Sequence, residues 1–507
     1  MARSLADEPG NGAHLLTVSS QGMEENGMQT VNTHLVVYPA PIGAVVNPDF
    51  TVNVRKPGGE WQPLFSYNVK VDMHDVRNAS MVTFDCNGPV ELEIVKNEGS
   101  VQAAIIRPIS TGLSYELEAN RMLLHLEGPR QLSLEVDGDR FHNLHIFANP
   151  LEQDVPLVSD EGVLPLEPGM HNTVDILRNL ADVSSAVKPK VIYFQPGIHH
   201  FDTSRLEVPS NTMIYIAGGT VIYGGFICSH VEDVVIRGRG ILYLSDFEKT
   251  TFYRGVEISY ARNISIEGIT VIDPPHYTVL IGQSESIDIC NIKTFSTRGW
   301  SDGIDMMACS DVNIDSVFLR TSDDCIAIYA SRDEYQGNTR RVRVTRSILW
   351  ADVAHPANIG THGNYGGDGD VIEDIVFSDI DILEHHEPQP DYWGCLAINA
   401  GDNNTVQHVV YENIRIEPFE LGELFNVRVL QNAKYNPAPG KQIRDILFKN
   451  ITYSGNCLNP SHIEGYDEAR KVENVRFENV TVNGEHFSLE RDVILGPHTH
   501  EVEVKPT

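Results

Sequence analysis

From Val191 onward the hydrophobic and polar positions repeat a short phrase. It reads Asn or Asp, aliphatic, any, apolar, any, small or polar, aliphatic, any, apolar. The phrase occurs as EDVVIRGRGIL, RNISIEGITV, ESIDICNIKTF, SDVNIDSVFL, RRVRVTRSIL, EDIVFSDIDIL, QHVVYENIRIE, RDILFKNITY and ENVRFENVTV. Its leading aliphatics are Val234, Ile264, Ile287, Val312, Val342, Ile375, Val409, Ile446 and Val475, spaced 23 to 37 residues apart. Repetition on that scale marks a solenoid or a propeller. Each phrase holds two short strands divided at a bend, with Val, Ile and Phe facing in and charged residues facing out. A propeller blade needs about four strands and about 40 residues, and no WD or kelch signature is present. The pattern therefore predicts an all-β fold: a right-handed single-stranded parallel β-helix over 191–507. Its coils would stack about 4.8 Å apart, and its recurring Asn and Asp could form ladders.

Ahead of the repeats, residues from Thr33 to Phe147 alternate in short runs such as FTVNVRKPGGEW and VELEIVKNEG, punctuated by Gly and Pro. That pattern predicts the antiparallel strands of a β-sandwich over 33–155, behind an N-terminal extension, 1–32. Between the two, over 156–190, HNTVDILRNLADVSSAV carries Val174, Leu177 and Leu180 at helical spacing, with Ile176 beside them. Such a helix suits a cap, because a solenoid has to cover the apolar end face of its first coil.

The formal charge of the 507 residues is −32. Phosphate backbones are repelled by such a surface, which argues against a nucleic-acid partner. A strongly anionic polymer is also disfavoured unless the site carries its own cations. No run of about 18 apolar residues exists, so no transmembrane helix and no membrane partner is expected. The first residues, MARSLADEPGNG, lack the apolar stretch of a signal peptide. The expected location is cytoplasmic if this N-terminus is native, and secreted if a leader has been removed. Seven cysteines, Cys86, Cys228, Cys290, Cys309, Cys325, Cys395 and Cys457, are scattered without a CxxC pair. They read mostly as small buried residues of a reduced protein. His362, His385 and His386 show no clean ligand spacing, so neither a metal nor another cofactor is expected.

One segment stands apart: WSDGIDMMACSDVNIDSVFLRTSDDCIAI, from Trp300 to Ile328, with Asp302, Asp305, Asp323 and Asp324. Asp302 and Asp323 are 21 residues apart, about one coil, and each follows a serine. That spacing predicts that they stack. Clustered carboxylates repel, so one is pushed to keep its proton at neutral pH. An acid and a base then arise from the same residue type, as glycosidic cleavage requires. Spacing alone leaves it equally open that these are loop aspartates in Asx-turns or calcium ligands.

SDGIDM and SDDCIAI resemble the signatures N-T-D-G-[IF]-D and G-D-D-C-[IV]-A-[IV] of polygalacturonase-type glycoside hydrolases. HPANIGTHG (355–363) is similar to that family's G-H-G-x-S-I-G-S, FQPGIHHF (194–201) to its Pro-Gly strand entry, and DPPHYTVLIG (273–282) to its Pro-x-aromatic coil. The β-sandwich ahead of the coils resembles the related dextranase and isopullulanase group. The resemblance implies single displacement with inversion. Asp323 would be the general acid, Asp302 and Asp324 would hold and deprotonate the attacking water, and His355 would tune or orient the acid. Acid and base are then expected about 6.5–9.5 Å apart. Asp305 is expected to face inward or to support the turn.

Three departures qualify the resemblance: Trp300 replaces the motif's Asn, Ser322 its Gly, and the Arg-Ile-Lys that grips galacturonate is missing where GCLAINAGDN (394–403) stands. A carboxylate sugar would then lack a charge-assisted contact. The expected activity is therefore inverting cleavage of α-glycosidic bonds in a neutral glycan such as a dextran-type α-glucan. Galacturonan is the runner-up; a β-helix polysaccharide lyase and a non-catalytic glycan-binding protein are rival classes. Candidate sugar binders are Trp300, His276, Tyr365, Tyr392, Trp393, Asn399 and Arg428, the last as a stand-in for the missing cations. The expected partner is a carbohydrate, and the chain could also self-associate as a homo-oligomer.

Overall fold

The computed structural model describes residues 33–184, 190–456 and 459–505; the N-terminal extension and Cys457 lie outside them. The nine leading aliphatics form one continuous column. Parallel pairing sets Val234 against Ile264, then Ile287, Val312, Val342, Ile375, Val409, Ile446 and Val475, each level with the next coil. All nine are essentially excluded from solvent. The fold is a right-handed parallel β-helix of the kind the repeats predict.

The residue before each of these aliphatics explains the Asn and Asp of the phrase. Asp233, Asn263, Ser286, Asp311, Arg341, Asp374, His408, Asp445 and Asn474 all turn the corner with φ between 54° and 60°. That left-handed region penalises most side chains and suits Asn and Asp best. A second corner, at Asn413, Asn450 and Asn479, also stacks its amides: Asn450 donates to Asn413 at 3.0 Å and Asn479 to Asn450 at 2.8 Å.

The helix Thr173–Asp182 covers the N-terminal end of this core. Asn172 caps it by accepting from the Asp175 N–H at 3.0 Å. Ile176 and Leu180 are buried in the core, whereas Val174, expected on the same face, is 60% exposed. Consecutive positions on a helix point about 100° apart, and the stripe that packs is the one through Ile176 and Leu180. Val163–Leu166 and Gly169–His171 already pair with the coil strands, so the ladder begins ahead of residue 191.

The N-terminal residues form two sheets, of six and five strands, around their own core of Val52, Phe84, Leu92, Leu124 and Ile146. One pairing departs from the antiparallel expectation: Leu144–Asn149 runs parallel to Ser80–Asp85. The six-stranded sheet is buried on both faces. Val82 and Phe84 face the sandwich core, while Ala79, Met81, Val69 and Val71 pack on Phe295, Phe318 and Trp350 of the coils. Polar anchors sit within this contact. Arg239 binds both oxygens of Asp85 at 3.0 and 3.1 Å. Arg320, fully buried, reaches Asp352 at 2.9 Å and Asn143 of the sandwich at 3.0 Å. Arg320 belongs to Phe318–Thr321, the strand that feeds Ser322 and Asp323, so the sandwich clamps the approach to the acidic corner.

Ile287→Ala should test the column. A large-to-small change at a fully packed position costs about 2–5 kcal/mol, and it should lower the midpoint of denaturant unfolding without shifting the far-ultraviolet spectrum of the folded state.

Candidate active site

The acidic residues occupy the turn that precedes one sheet of the helix. Ile304 pairs with Ile326 and Ile326 with Ala357. This register places Asp302 level with Asp324, and Asp324 level with His355. The Gly303 N–H donates to the Asp324 carbonyl and the Cys325 N–H to the His355 carbonyl, both at 2.8 Å. The stacking partner of Asp302 is therefore Asp324 rather than Asp323. The spacing of 21 misses this register by one residue, because level positions here are 22 residues apart, as Ile304 and Ile326 are, and the turn between Arg320 and Ile326 is shorter than the one between Phe295 and Ile304. Asp323 lies beside the stack, and its Oδ2 accepts the Trp300 N–H at 2.8 Å. Trp300 adopts φ 71° to present that N–H, a strained conformation for an indole-bearing residue. One oxygen from each of Asp302, Asp323 and Asp324 lies within 4.8 Å of the others. That approach is closer than the expected separation of acid and base.

The electrostatics divide the four carboxyls. Burial works to raise Asp324, but it is outweighed. The His355 ring donates to Oδ1 at 2.7 Å and the His355 N–H at 3.1 Å, while Asn358 donates to Oδ2 at 2.7 Å. Asp324 is thereby held below the ordinary carboxylate value. The other His355 nitrogen faces the Tyr392 carbonyl at 2.7 Å. Both ring nitrogens thus meet acceptors, which makes the ring an imidazolium. Burial would lower its pKa, yet Asp324 and Glu387 hold it up at about 9. Asp323 is raised to about 6, first by burial and then by the Asp324 charge. Asp302 and Asp305 are pushed well up, chiefly by burial, with Asp305 adding to the effect on Asp302. No donor reaches either oxygen of Asp305, and burial favours the protonated form of both carboxyls.

The three carboxyls open into a cavity of about 530 Å³. Of the predicted binders, Trp300 and Tyr392 line it. The Trp300 indole is 53% exposed and lies under Lys249, whose Nζ is 4.3 Å from the ring centre. His276 lies behind, edge-on to Tyr277 at 4.0 Å and tilted to Trp300 at 6.3 Å, with its pKa pushed down to about 3 by burial and the nearby cations. The others are elsewhere. Tyr365 is exposed and outside the cavity. Trp393 and Asn399 do not line it either; Asn399 is buried on the outer face of Leu396–Ala400. Arg428 is on the same face, but Glu464, level with it on the next coil, binds it at 3.1 Å. It does not replace the missing cations.

The cations of the cavity are Arg332 and Lys434. The Arg332 guanidinium is 4.6 Å from the Tyr329 ring centre and 3.8 Å from the Asp305 carboxylate. Lys434 donates to Gln389 at 2.7 Å and lies 4.6 Å from the Tyr435 ring centre. Neither had a motif to announce it; both follow coil strands as loop residues. A larger cavity, of about 720 Å³, lies between sandwich and coils around Arg130, Asn291 and Arg346, but it has no aromatic lining.

Residues 244–493 match the family model of glycosyl hydrolases family 28. An exopolygalacturonase B of Aspergillus niger is 26% identical over 247 residues, covering 43% of this chain and 53% of that protein. A polygalacturonase of Juniperus ashei is 24% identical over 233 residues, covering 43% of each. Over residues 244–493 the chain is similar to glycosyl hydrolases family 28. It spans about half the length of the curated relatives it matches. In fold it is similar to Dex49A from Penicillium minioluteum, at a TM-score of 0.59 and 14% identity over 93% of this chain and 96% of that one. A coil region similar to family 28 thus sits in an overall fold similar to that of Dex49A.

The oxygens of Asp302, Asp323 and Asp324 are the group, among the described residues, that could hold a cation. Oxygen donors suit calcium or magnesium. His385 is not available as a ligand, because Ala354 and Gly394 backbone groups occupy its two nitrogens at 2.8 and 3.3 Å.

The ion pair of His355 and Asp324 makes a stability prediction. The His355 pKa is raised from 6.5 to about 9, so its contribution is complete below pH 6.5 and is lost as pH rises through about 9. Asp324 is depressed, so its contribution is present above its ordinary 3.8 and is lost as pH falls through the lowered value. His355→Leu strands a buried carboxylate, which typically costs about 3–5 kcal/mol. Unfolding curves of both proteins should differ most between about pH 5 and 6.5 and converge above about pH 9.

Proposed function

We propose that this chain is an inverting glycoside hydrolase that cleaves α-linked uronic-acid glycans of the galacturonan type. The observation that carries the reading is the convergence of Asp302, Asp323 and Asp324 on one cavity that also presents Arg332 and Lys434. The earlier argument for a neutral glucan rested on the missing Arg-Ile-Lys. Two cations from other loops remove that argument, and a guanidinium braced on Tyr329 suits a planar carboxylate. The polygalacturonase names of the relatives point the same way.

Asp323, raised to about 6, is protonated at mildly acidic pH and would give its proton to the leaving glycosidic oxygen. Water would attack the anomeric carbon as the carbon–oxygen bond breaks, losing its proton to the Asp302 and Asp324 pair. Asp324 is kept charged by His355, and burial beside Asp305 raises the affinity of Asp302 for a proton. Both Asp324 oxygens are already engaged by His355 and Asn358, which disfavours direct attack on the sugar and leaves water as the nucleophile. This supports inversion, although the close approach of the oxygens does not.

Incubation with polygalacturonate, dextran, pullulan, arabinan and galactan should release reducing ends fastest from polygalacturonate, and proton NMR of the first product should show the anomer opposite to the substrate linkage. Release from dextran alone would refute the acidic-sugar reading. A lyase would instead give an ultraviolet-absorbing unsaturated product and lose activity in chelator. Asp323→Asn should lower kcat about 10²–10⁴-fold, and wild-type kcat/KM should fall above about pH 6 as Asp323 loses its proton. Arg332→Gln should forfeit a charge-assisted contact worth about 1.5–3 kcal/mol, a rise of roughly ten- to a hundred-fold in KM for galacturonate oligomers.

A further inference from the structure

Two residues of the cavity come from neither the coils nor their loops. Met73 and His74 line it, and they belong to the sandwich. They form the tip of the hairpin between Tyr67–Val71 and Arg77–Cys86, which closes at the pairing of Val71 with Arg77. The tip is held rigidly. Asp72 takes φ 62° and accepts the His74 N–H at 2.8 Å, while its other oxygen binds Arg77. Arg77 lies 3.5 Å over the Phe141 ring. The hairpin is also docked: Val69 and Val71 pack on coil aromatics, and Lys70 donates to Ser245 at 2.6 Å. Ser245 donates in turn to Asp273, which accepts from Thr297 in the loop that carries Trp300.

The tip touches both walls of the cavity. Met73 extends toward Gly299, beside Trp300; a methyl group added there would lie 3.6 Å from the Met73 terminal carbon. The His74 ring meets His386 edge-on at 5.7 Å, and Glu387 and Gln389 follow on that wall. An open groove along a β-helix admits the middle of a polymer, whereas a segment that bridges its two sides stops the chain. The His74 side chain is 48% exposed, so its ring is free to meet a sugar.

We propose that the Met73–His74 tip is the end wall of the sugar pocket, and that the sandwich thereby confines cleavage to chain termini. This rests on the glycosidase reading above. The test compares wild type with the double variant Met73→Ala/His74→Ala, both checked for unchanged melting. Oligogalacturonates labelled at one end supply the product pattern. Binding of trigalacturonate by calorimetry is measured in the Asp323→Asn background. Wild type should release single sugars from one end. The double variant should release longer fragments and bind trigalacturonate about tenfold more weakly, the worth of one lost polar contact. Its kcat should change less than its KM. Identical products and affinity in the two proteins would overturn the end wall while leaving the hydrolase reading intact. A wild type that neither binds nor cleaves galacturonate would overturn the functional reading, and the end wall with it.

Discussion

Parallel pairing between coils admits one register, because the aliphatic column from Val234 to Val475 has to stay inside. A slip of one residue would turn every one of those side chains out to solvent. That constraint also positions the chemistry. The pairing of Ile304 with Ile326, and of Ile326 with Ala357, stacks Asp302, Asp324 and His355 at one corner. Three polar side chains that would separate in water are therefore brought together by burial of apolar ones two residues away. Arg320, clamped by the sandwich one strand earlier, fixes the turn that adds Asp323.

Bringing acidic groups together in a buried corner is costly, and the residues around them show how the cost is offset. Asp324 is paired with an imidazolium, Asp323 takes a backbone N–H from a strained Trp300, and burial pushes Asp302 and Asp305 toward their neutral forms. The outcome is one carboxyl held below the ordinary value, one raised to about 6 and two pushed well above it. The same side-chain type takes three different proton affinities because its neighbours differ.

The repeats were legible because period and composition coincide: an aliphatic that has to face inward follows a corner that favours Asn or Asp, as at Asn263 and Ile264. The acidic corner was legible because SDG and SDD recur about one coil apart. The offset was not, since turn lengths differ between coils and a sequence does not show where each turn starts and ends. Arg428 reads as a free cation in the sequence, because its engagement by Glu464 depends on the coil beyond it. Arg332 and Lys434 lie in loops whose direction is set by Tyr329 and Gln389. The contribution of Met73 and His74 depends on how the sandwich docks, which no local pattern records.

The most direct measurement is a crystal structure of the Asp323→Asn protein with a bound oligogalacturonate. The account predicts a glycosidic oxygen within about 2.6–3.2 Å of the residue 323 amide, a water between Asp302 and Asp324 and the anomeric carbon, and a uronate carboxylate on Arg332. A sugar bound in the cleft near Arg130 and Arg346, with the acidic corner empty, would contradict it.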